Sequence, residues 1–538
     1  MKALRMHAVA AVTLALAGLV GVGGWAGEAP RAYRVELTMP ADVDRLESWG
    51  VRVDAREGRT ATVYATAAQR ERLAAEGFAP VALPRPKSLA DYPPFEEVVE
   101  TLEAYAGAYP EICRLEEIGR STLGREIVAL RITDRPEVEE DEPEVKVVST
   151  IHGDEPFGTA LCLDLIDRLL GGYGVDAAVT ELIDETDIRV LPILNPDGYA
   201  GGTRTNATGV DLNRDFPRYP GEFAAGTVYD GAPVLTAGRA AETAAAMAWI
   251  AENSFVLSAQ LHTGALVANY PYDDDGLPTG VYQAAPDDLV FRELAMTYSA
   301  LNPPMFASEV FAGGITNGAA WYVVRGGMQD WNYRYAGCME LTFELGVDKA
   351  PPKDAWPGLF ADNRDAMLAF LGSVHRGVRG VVTDAETGAP LYARVRVEGN
   401  AQPVFTDPDV GDYHRILLPG RYALTVEAEG YRSVTFEEID VVSAGAVRVD
   451  AALEPTDEDP APDPGDEEAL CPLEIAFRDA PEVVRALRDV RDDVLAPTAL
   501  GTQVIRAYYR AAPTIAGWMR AAEALCSRAR VALCCTHA

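Results

Sequence analysis

Apolar residues along the middle of the chain fall into two alternating patterns. The run "EVKVVST" is apolar enough for a buried strand, whereas "PFGTALCLDLIDRLL" places its apolar residues at helical spacing. "SFVLSAQLH" and "GCMELTFEL" predict further strands. Strands that alternate with helices in this way predict an α/β domain in which a mixed central sheet carries helices on both faces. We expect this domain to span residues 87–376.

A small unit with a different pattern precedes this domain at residues 27–86. "RAYRVELTM" and "TATVYAT" alternate apolar and polar residues as strands do, and "TAAQRERLAAEGF" predicts a helix that ends near Gly77. A proline-containing segment then breaks the pattern. An α+β unit of this size and position resembles a pro-segment, and an ordinary N-terminal domain is the alternative.

Three segments follow the α/β domain, and each has its own composition. Residues 377–455 carry short alternating runs such as "ARVRVEG" and "RYALTVEAEG" between Gly, Pro and Asp residues, which predicts a small β-sandwich. Residues 456–468 form an acidic, proline-rich linker. Residues 469–538 contain amphipathic runs, which predict helices.

Residues 1–26 predict an export signal rather than part of the fold. Lys2 and Arg5 form a positive start, the apolar run Ala8–Val22 follows, and small residues near Ala26 suit cleavage. An uncleaved anchor is the alternative, but the run is short for a membrane span. No other segment is apolar enough to cross a membrane, so we expect no span in the mature chain. The predicted location is extracellular, with the periplasm and the cell surface as variants.

Charge and cysteine content narrow the classes of function. The net charge of −35 and the pI of about 4.5 argue against nucleic-acid binding and suit an exported protein or one that attracts cationic ligands. The seven cysteines contain no CxxC pair, so a zinc site built from cysteines is not expected. Export permits disulfides, but an odd count leaves one thiol over or one bond to another chain.

Two of the six histidines stand at the ends of predicted strands in the α/β domain. His152 follows one buried strand and His262 ends another, while Glu155 lies shortly after His152 where the next helix begins. Two imidazoles and one carboxylate leave a position open on a zinc ion, as catalytic zinc sites require. A pair of structural histidines is the alternative at this point.

A loop and a later strand carry further groups of catalytic type. In "TRTNATGVDLNRDFP", Arg204 and Arg214 flank a loop, and Asn213 precedes the second arginine. One guanidinium can bind a carboxylate through two hydrogen bonds, and another can stabilise an oxyanion that forms by attack on a carbonyl. Glu344 lies near the end of a predicted strand and can act as a general base.

These strings together resemble the M14 family of zinc carboxypeptidases, in particular its regulatory N/E branch. Six strings occur in the family's order across residues 90–455, namely "HGDEPFG", "NPDGY", "GVDLNRDFP", "HTGALVANYPYDDD", "ITNGAAWYVVRGGMQDWNY" and "MELTFEL". The resemblance implies the zinc carboxypeptidase fold with one Zn²⁺ ion. It also implies that the β-sandwich is transthyretin-like and supports folding.

The resemblance implies a role for each matching residue of the reaction centre. His152, Glu155 and His262 match the zinc ligands of the family. Arg204 matches the arginine that polarises the scissile carbonyl, and Glu344 matches the general base.

Further matches concern substrate binding. Asn213 and Arg214 match the pair that holds the C-terminal carboxylate, and Tyr322 matches a mobile tyrosine that closes over the substrate. Tyr333 is a rival for that role, but it lies too close to Glu344 in the sequence for the family pattern.

Asp273 and Gln329 match the pocket that receives a Lys or Arg side chain in this branch. Because an unpaired charge in such a pocket is costly, a buried acid favours a cationic side chain. The alternative is that Asp273 is one of three solvated aspartates in its loop. The chain is therefore predicted to be a secreted zinc-dependent carboxypeptidase that releases Lys or Arg from the C-termini of peptides or proteins.

Two other functions stay open at this point. An M14-type peptidase could act on peptidoglycan stem peptides, because diaminopimelate carries an amine that suits an acidic pocket. A non-catalytic peptide-binding protein could use the same fold, although such relatives typically lack a zinc ligand or the general base.

The chain departs from the N/E pattern at a few positions. Thr263 replaces a glycine after the second zinc histidine, Val347 replaces a cysteine after the general base, and Trp331 replaces a tyrosine. We expect none of these departures to touch a zinc ligand. The C-terminal string "VIRAYYRAAPTIAGWM" weakly resembles a bacterial sorting region known as the CFI-box. Recognition of this region by a sorting system is one expectation, and an ordinary helical hairpin is the other.

Overall fold

The computed structural model describes residues 30–83, 91–218, 236, 238–443 and 445–456. The predicted export signal, the acidic linker beyond residue 456 and the predicted C-terminal helices lie outside these described residues. The described chain folds into three units that follow one another in the sequence.

The N-terminal unit is a four-stranded antiparallel sheet packed against two helices. Its elements are β1 (Arg31–Glu36), α1 (Asp42–Ser48), β2 (Arg52–Glu57), β3 (Thr60–Ala65), α2 (Ala67–Ala75) and β4 (Val81–Ala82). The strand order is β2-β3-β1-β4. The sequence patterns predict β1, β3 and α2, and Thr66 caps α2 by accepting the Gln69 N–H at 3.3 Å. They do not predict α1 or β2.

The central unit is built on an eight-stranded mixed sheet. Its strands are β5 (Cys113–Arg120), β6 (Glu126–Ile132), β7 (Glu144–Ser149), β8 (Asp187–Leu191), β9 (Phe255–His262), β10 (Ala265–Tyr270), β11 (Ile315–Asn317) and β12 (Met339–Gly346). They lie in the order β11-β10-β12-β9-β7-β8-β6-β5. The pairs β12–β9, β9–β7 and β7–β8 are parallel, whereas β10–β12, β6–β8 and β5–β6 are antiparallel. The predicted mixed sheet is confirmed.

Helices cover both faces of this sheet, as the sequence predicts. They are α3 (Phe95–Ala108), α4 (Phe157–Gly172), α5 (Ala177–Asp184), α6 (Pro196–Gly201), α7 (Ala241–Glu252), α8 (Asp288–Ser299), α9 (Pro303–Phe306), α10 (Gly318–Trp321), α11 (Met328–Trp331) and α12 (Trp356–Gly372). On β7, Val145 and Val147 pack in the core that contains α4 and α12, while Val148 packs with α7. Because strand side chains alternate between faces, a strand buried on both faces is apolar at successive positions.

The C-terminal unit is a β-sandwich of two small sheets. Its strands are β13 (Gly377–Asp384), β14 (Arg394–Val397), β15 (Val404–Phe405), β16 (Asp412–Arg415), β17 (Gly420–Glu427), β18 (Val434–Val441), β19 (Ala446–Arg448) and β20 (Ala451–Leu453). One sheet contains β13, β16, β19 and β20, and the other contains β14, β15, β17 and β18. Buried side chains from both sheets form one core, which confirms the predicted sandwich.

A buried ion pair joins the sandwich to the central unit. Arg415 Nη2 on β16 lies 2.8 Å from Asp287 Oδ1, and neither side chain is more than 2% exposed. The Tyr333 hydroxyl donates to Asp287 Oδ2 at 2.7 Å, and the Asn400 amide donates to Asp287 Oδ1 at 2.7 Å. These contacts satisfy the buried carboxylate from both units, so the two units share one polar joint.

Among the described residues there is neither a disulfide nor a helix long and apolar enough to cross a membrane. Cys113, Cys162 and Cys338 are buried free thiols. Burial raises the pKa of the Cys113 and Cys338 thiols to about 11, so little thiolate forms near neutral pH. The remaining cysteines lie outside the described residues.

Candidate active site

Three predicted zinc ligands meet at the edge of the central sheet. His152 Nδ1 lies 3.1 Å from Glu155 Oε1, and His262 Nδ1 lies 2.9 Å from Glu155 Oε2. The two imidazole rings have their centroids 4.8 Å apart, and all three side chains are buried. Two imidazole nitrogens and one carboxylate form a donor set that suits zinc. His262 Nε2 is buried without a hydrogen bond among the described residues.

The topology explains why these residues converge. Strands β7, β9 and β12 run parallel as neighbours, so their carboxyl ends lie at one edge of the sheet. His262 and Glu344 are register partners on β9 and β12. Gly153 follows His152, and a Cβ at Gly153 would overlap the backbone of Gly198 and Tyr199. The turn after β7 therefore requires a glycine next to His152, the predicted zinc ligand.

Asp211 connects a predicted ligand to a predicted catalytic arginine. Its Oδ1 lies 3.2 Å from His152 Nε2, and its Oδ2 accepts a hydrogen bond from Arg204 Nε at 2.9 Å. Burial opposes ionisation of Asp211, but Arg204 and His152 outweigh burial and hold its pKa well below the usual range. A carboxylate on the outer nitrogen of an imidazole orients the ring and leaves Nδ1 free to bind a metal.

Glu344 lies beside the three predicted zinc ligands. Its Oε2 atom makes no hydrogen bond among the described residues. Its side chain is buried, and burial together with the charges of Glu155 and Asp54 raises its pKa well above the usual range. A buried carboxyl with a raised pKa next to a set of metal-ligating residues is typical of a general acid or base.

Asn213 and Arg214 lie in a one-turn 3-10 helix, Leu212–Arg214, beside the ligands. Asn213 Oδ1 accepts the Met328 N–H at 3.0 Å, which orients the side-chain amide. Arg214 Nη2 donates to the carbonyl oxygen of Val53 at 3.0 Å. The two residues of the predicted carboxylate clamp therefore lie next to each other, and the N-terminal strand β2 accepts a hydrogen bond from one of them.

The Tyr322 side chain lies at the site, whereas the Tyr333 side chain does not. The Tyr322 hydroxyl donates to the carbonyl oxygen of Asp54 at 2.6 Å, and the side chain is buried. Tyr333 is fully buried in the main core, where its hydroxyl bonds Asp287 and its ring packs on Phe291.

Asp273 is buried rather than solvated. Asn269 Nδ2 and Gln329 Nε2 donate to Asp273 Oδ1 at 3.1 and 3.2 Å. Asp330 accepts the backbone N–H of Asp273 at 2.9 Å, which fixes the chain at this point. Burial and the nearby Asp330 raise the pKa of Asp273 well above its usual range. A Cβ at Gly318 would overlap the Asp273 carboxylate, so a glycine is needed there to make room.

Two charged residues at the site escape the sequence patterns. Lys349 Nζ lies 2.7 Å from Glu155 Oε1 and 2.8 Å from Asp54 Oδ2. Asp54 also pairs with Arg204. Lys349 lies five positions after Glu344, just beyond the string "MELTFEL", and this closeness is a signal that could have identified it. Asp54 belongs to the unpredicted strand β2, and no motif marks it.

The expectation about sequence departures is wrong at one position. The Thr263 backbone N–H donates to Glu155 Oε2 at 3.3 Å, so this residue does touch a predicted ligand. The Thr263 hydroxyl donates to the carbonyl oxygen of Lys349 at 2.9 Å. Because the contact to Glu155 uses the backbone, a glycine could make it as well. Val347 is 66% exposed and fills no core position.

Two family models match the chain. The zinc carboxypeptidase model matches residues 98–365, and the carboxypeptidase regulatory-like domain model matches residues 377–454. These ranges coincide with the central unit and the sandwich.

Individual relatives agree with these models. Carboxypeptidase D of Anas platyrhynchos is 41% identical over 68% of this chain, and the match covers 27% of that longer protein. The carboxypeptidase N catalytic chain of Homo sapiens is 38% identical over 63% of this chain and 80% of its own length. A crystal structure of carboxypeptidase A from Helicoverpa armigera aligns with a TM-score of 0.49 at 20% identity, covering 64% of this chain and 98% of that one. The chain belongs to the zinc carboxypeptidase family.

Proposed function

We propose that this chain is a zinc metallocarboxypeptidase that releases single Lys or Arg residues from the C-termini of peptides. The observation that carries the proposal is the meeting of His152, Glu155 and His262 beside the Glu344 carboxylate. These three residues would hold the ion. When bound there, Zn²⁺ supplies a Lewis acid for a carbonyl oxygen and lowers the pKa of water.

Substrate binding in this proposal uses the groups next to the ligands. Arg214 and the amide of Asn213 bind the terminal carboxylate, because a guanidinium and an amide NH₂ together offer several parallel donors. Met328 N–H already occupies Asn213 Oδ1, which leaves the NH₂ group for the substrate. The Tyr322 ring covers the bound residue and excludes water.

The chemical step uses Arg204 and Glu344. Arg204 donates to the oxygen of the last peptide carbonyl and stabilises the negative charge that develops there. Glu344 accepts a proton from the attacking water and returns it to the amine that leaves. The free Oε2 of Glu344 suits this transfer, since no described residue hydrogen-bonds to it.

The preference for Lys or Arg rests on Asp273. The carboxylate is buried and receives only amide donors from side chains, with Asn269 and Gln329 at 3.1 and 3.2 Å. A cationic substrate side chain would supply the missing positive charge, whereas an apolar one would leave the acid unpaired.

We also propose that residues 27–86 act as a pro-segment that keeps the enzyme latent. Strand β2 lies across the groups that a substrate needs. The Val53 carbonyl oxygen accepts a hydrogen bond from Arg214, and the Asp54 carbonyl oxygen accepts one from the Tyr322 hydroxyl. The Asp54 carboxylate forms an ion pair with Arg204. A peptide cannot use these donors while β2 holds them.

The same proposal places the enzyme outside the cell or in the periplasm, because residues 1–26 have the pattern of an export signal. Fractionation of the producing cell with an antibody to the sandwich would test this. Retention of the chain in the cytoplasm would contradict it. The same antibody would show whether residues 469–538 are removed during sorting.

The activity is tested with matched peptides that end in Arg, Lys, Phe or Glu. The protein used lacks residues 1–86, and Glu344→Gln serves as the matched inactive variant. We expect rapid release of Arg and Lys, and a loss of roughly 100- to 10,000-fold in the variant. Release of Phe instead would keep the mechanism and reject the assigned pocket. No release with zinc bound would favour peptidoglycan stem peptides or a binding protein.

A further inference from the structure

A second group of metal-binding residues lies far from the active site, where the sandwich meets the central unit. Asp141, Asp412 and His414 each offer one ligand atom, and these atoms lie within 4.8 Å of one another. Asp412 and His414 are two positions apart on β16, so both side chains leave the same face of the strand. Asp141 comes from the loop before β7 of the central unit.

Asp412 is a buried carboxylate that lacks a full set of partners. The residue is 5% exposed, and its Oδ2 lies 2.9 Å from His414 Nε2. Its Oδ1 is buried and makes no hydrogen bond among the described residues. Buried carboxylate oxygens normally have a hydrogen-bond partner, because an unpaired one loses its hydration without compensation.

Two arginines offset the negative charge of Asp141 only in part. Arg448 Nη1 donates to Asp141 Oδ2 at 2.6 Å, and Arg379 Nη1 lies 3.9 Å from Oδ1. Oδ1 itself makes no hydrogen bond among the described residues. One oxygen of Asp141 therefore has no hydrogen-bond partner among the described residues.

A neighbouring acidic cluster differs in the positive charges around it. Glu139, Glu144 and Asp187 also lie within ligand distance of one another. However, Arg131 lies 3.2 Å from Glu139 and 2.8 Å from Asp187, and Arg189 lies 3.2 Å from Glu144. Two oxygens of that cluster, Glu144 Oε2 and Asp187 Oδ1, also make no hydrogen bond among the described residues, but guanidinium groups offset its negative charge. No described Lys or Arg side chain hydrogen-bonds to Asp412.

The structure leaves room for an ion and its water ligands. A cavity of about 620 Å³ lies between the two units, and its lining includes Asp412, His414, Glu139, Glu140, Glu142 and Glu144. Carboxylates along the wall make the cavity attractive to cations, and the volume admits several waters.

We propose that Asp141, Asp412 and His414 bind a divalent transition-metal ion, Zn²⁺ or Mn²⁺, that ties the sandwich to the central unit. The imidazole nitrogen favours a transition metal over Ca²⁺ or Mg²⁺, which prefer oxygen ligands. Water from the cavity completes the coordination. Because the ligands come from both units, binding of the ion stabilises their docked arrangement.

The test counts bound metal on the full chain. The protein is saturated with ZnCl₂ or MnCl₂, freed of unbound ion by gel filtration, and analysed by plasma mass spectrometry. We expect two equivalents in the native chain and one in the double variant Asp412→Asn with His414→Gln. Asp450→Asn is the matched control, since Asp450 pairs with Arg448 at 3.0 Å but offers no ligand to the cluster. This control should keep two equivalents.

A complementary variant separates this site from the active site. His152→Ala with His262→Ala should keep one equivalent, and added MnCl₂ or ZnCl₂ should still raise its unfolding temperature. The same addition should not raise the unfolding temperature of a chain that carries all four substitutions. No bound ion in the His152→Ala/His262→Ala chain, or equal metal content in the native and Asp412→Asn/His414→Gln chains, overturns the proposal.

Discussion

Asp211 links His152, a proposed metal ligand, to Arg204, the proposed catalytic arginine, through its two oxygens. One oxygen lies 3.2 Å from His152 Nε2, and the other accepts from Arg204 Nε at 2.9 Å. Orientation of the imidazole and of the guanidinium therefore depends on a single carboxylate. Such outer partners of a metal ligand tune its basicity as well as its direction.

Asp211→Asn should lower zinc affinity by about 10- to 100-fold, because the amide holds the imidazole less firmly and adds no negative charge. Competition with a zinc chelator measures this change. Asp215→Asn is the matched control, since Asp215 lies in the same segment but accepts the Ala240 N–H at 2.8 Å, just before α7. Equal zinc affinity in the two variants would contradict the role given to Asp211.

Asp273→Asn should lower kcat/KM for a peptide ending in Arg by roughly 100-fold, since a desolvated charge pair is lost. The rate for a peptide ending in Phe should change far less. Asp275→Asn is the matched control, because Asp275 is more exposed and pairs with Arg334 at 2.8 Å. A parallel loss for both peptides would mean that Asp273 supports the fold rather than selects the substrate.

Single residues of the site are predictable where they stand within a local string. His152 and Glu155 share one string, and Asn213 and Arg214 share another, so their spacing in the sequence carries the signal. Asp54 gives no such signal. It meets Arg204 only because two units fold against each other, and that contact spans 150 positions of the chain.

At the scale of elements, β2 shows why some strands escape prediction. Arg52, Asp54 and Arg56 leave only Val53 and Ala55 as apolar residues between them, so the segment has too little apolar character to stand out as a strand. Here these polar side chains meet the central unit: Arg52 donates to the Gly209 carbonyl and Arg56 to the Trp321 carbonyl. Strands β7, β9 and β12 are easier to assign, because they are buried on both faces and rich in large apolar residues.

Loss of the β2 contacts should release the enzyme from inhibition. Added in trans, the isolated segment 27–86 should inhibit a chain that lacks residues 1–86. Asp54→Ala in the segment should raise its inhibition constant by roughly 100-fold, as expected when a buried ion pair is broken. Asp44→Ala is the matched control, since Asp44 contacts Thr279 at 3.2 Å outside the site. No inhibition by the native segment would reject the pro-segment proposal.

At the scale of the whole molecule, stability depends on the joint between the central unit and the sandwich. Arg415 and Asp287 are nearly fully buried at 2.8 Å, with Tyr333 and Asn400 completing the hydrogen bonds. The order of the domains could be predicted from composition changes along the chain. The contacts of the joint could not be predicted, because they join side chains from distant segments and no local sequence motif marks any of them.

Arg415→Ala should lower the free energy of unfolding by about 3–5 kcal/mol, because Asp287 is left as an uncompensated buried charge. Arg421→Ala is the matched control on the same sandwich, where Arg421 and Asp440 are 61% and 68% exposed. That change should cost no more than about 1 kcal/mol. Thermal or urea unfolding measures the free energy of unfolding of both variants. Equal decreases in the two variants would contradict the importance of the joint.

The shared joint also bears on how the domains of this protein can be exchanged in the laboratory. A recombination point near Arg376 separates Asp287 from Arg415, so a replacement sandwich keeps the ion pair only if it carries an arginine at the matching position. Chimeras that keep residues from the central unit through Pro455 together would retain both halves of the ion pair. The central unit and its sandwich are therefore best engineered as one module.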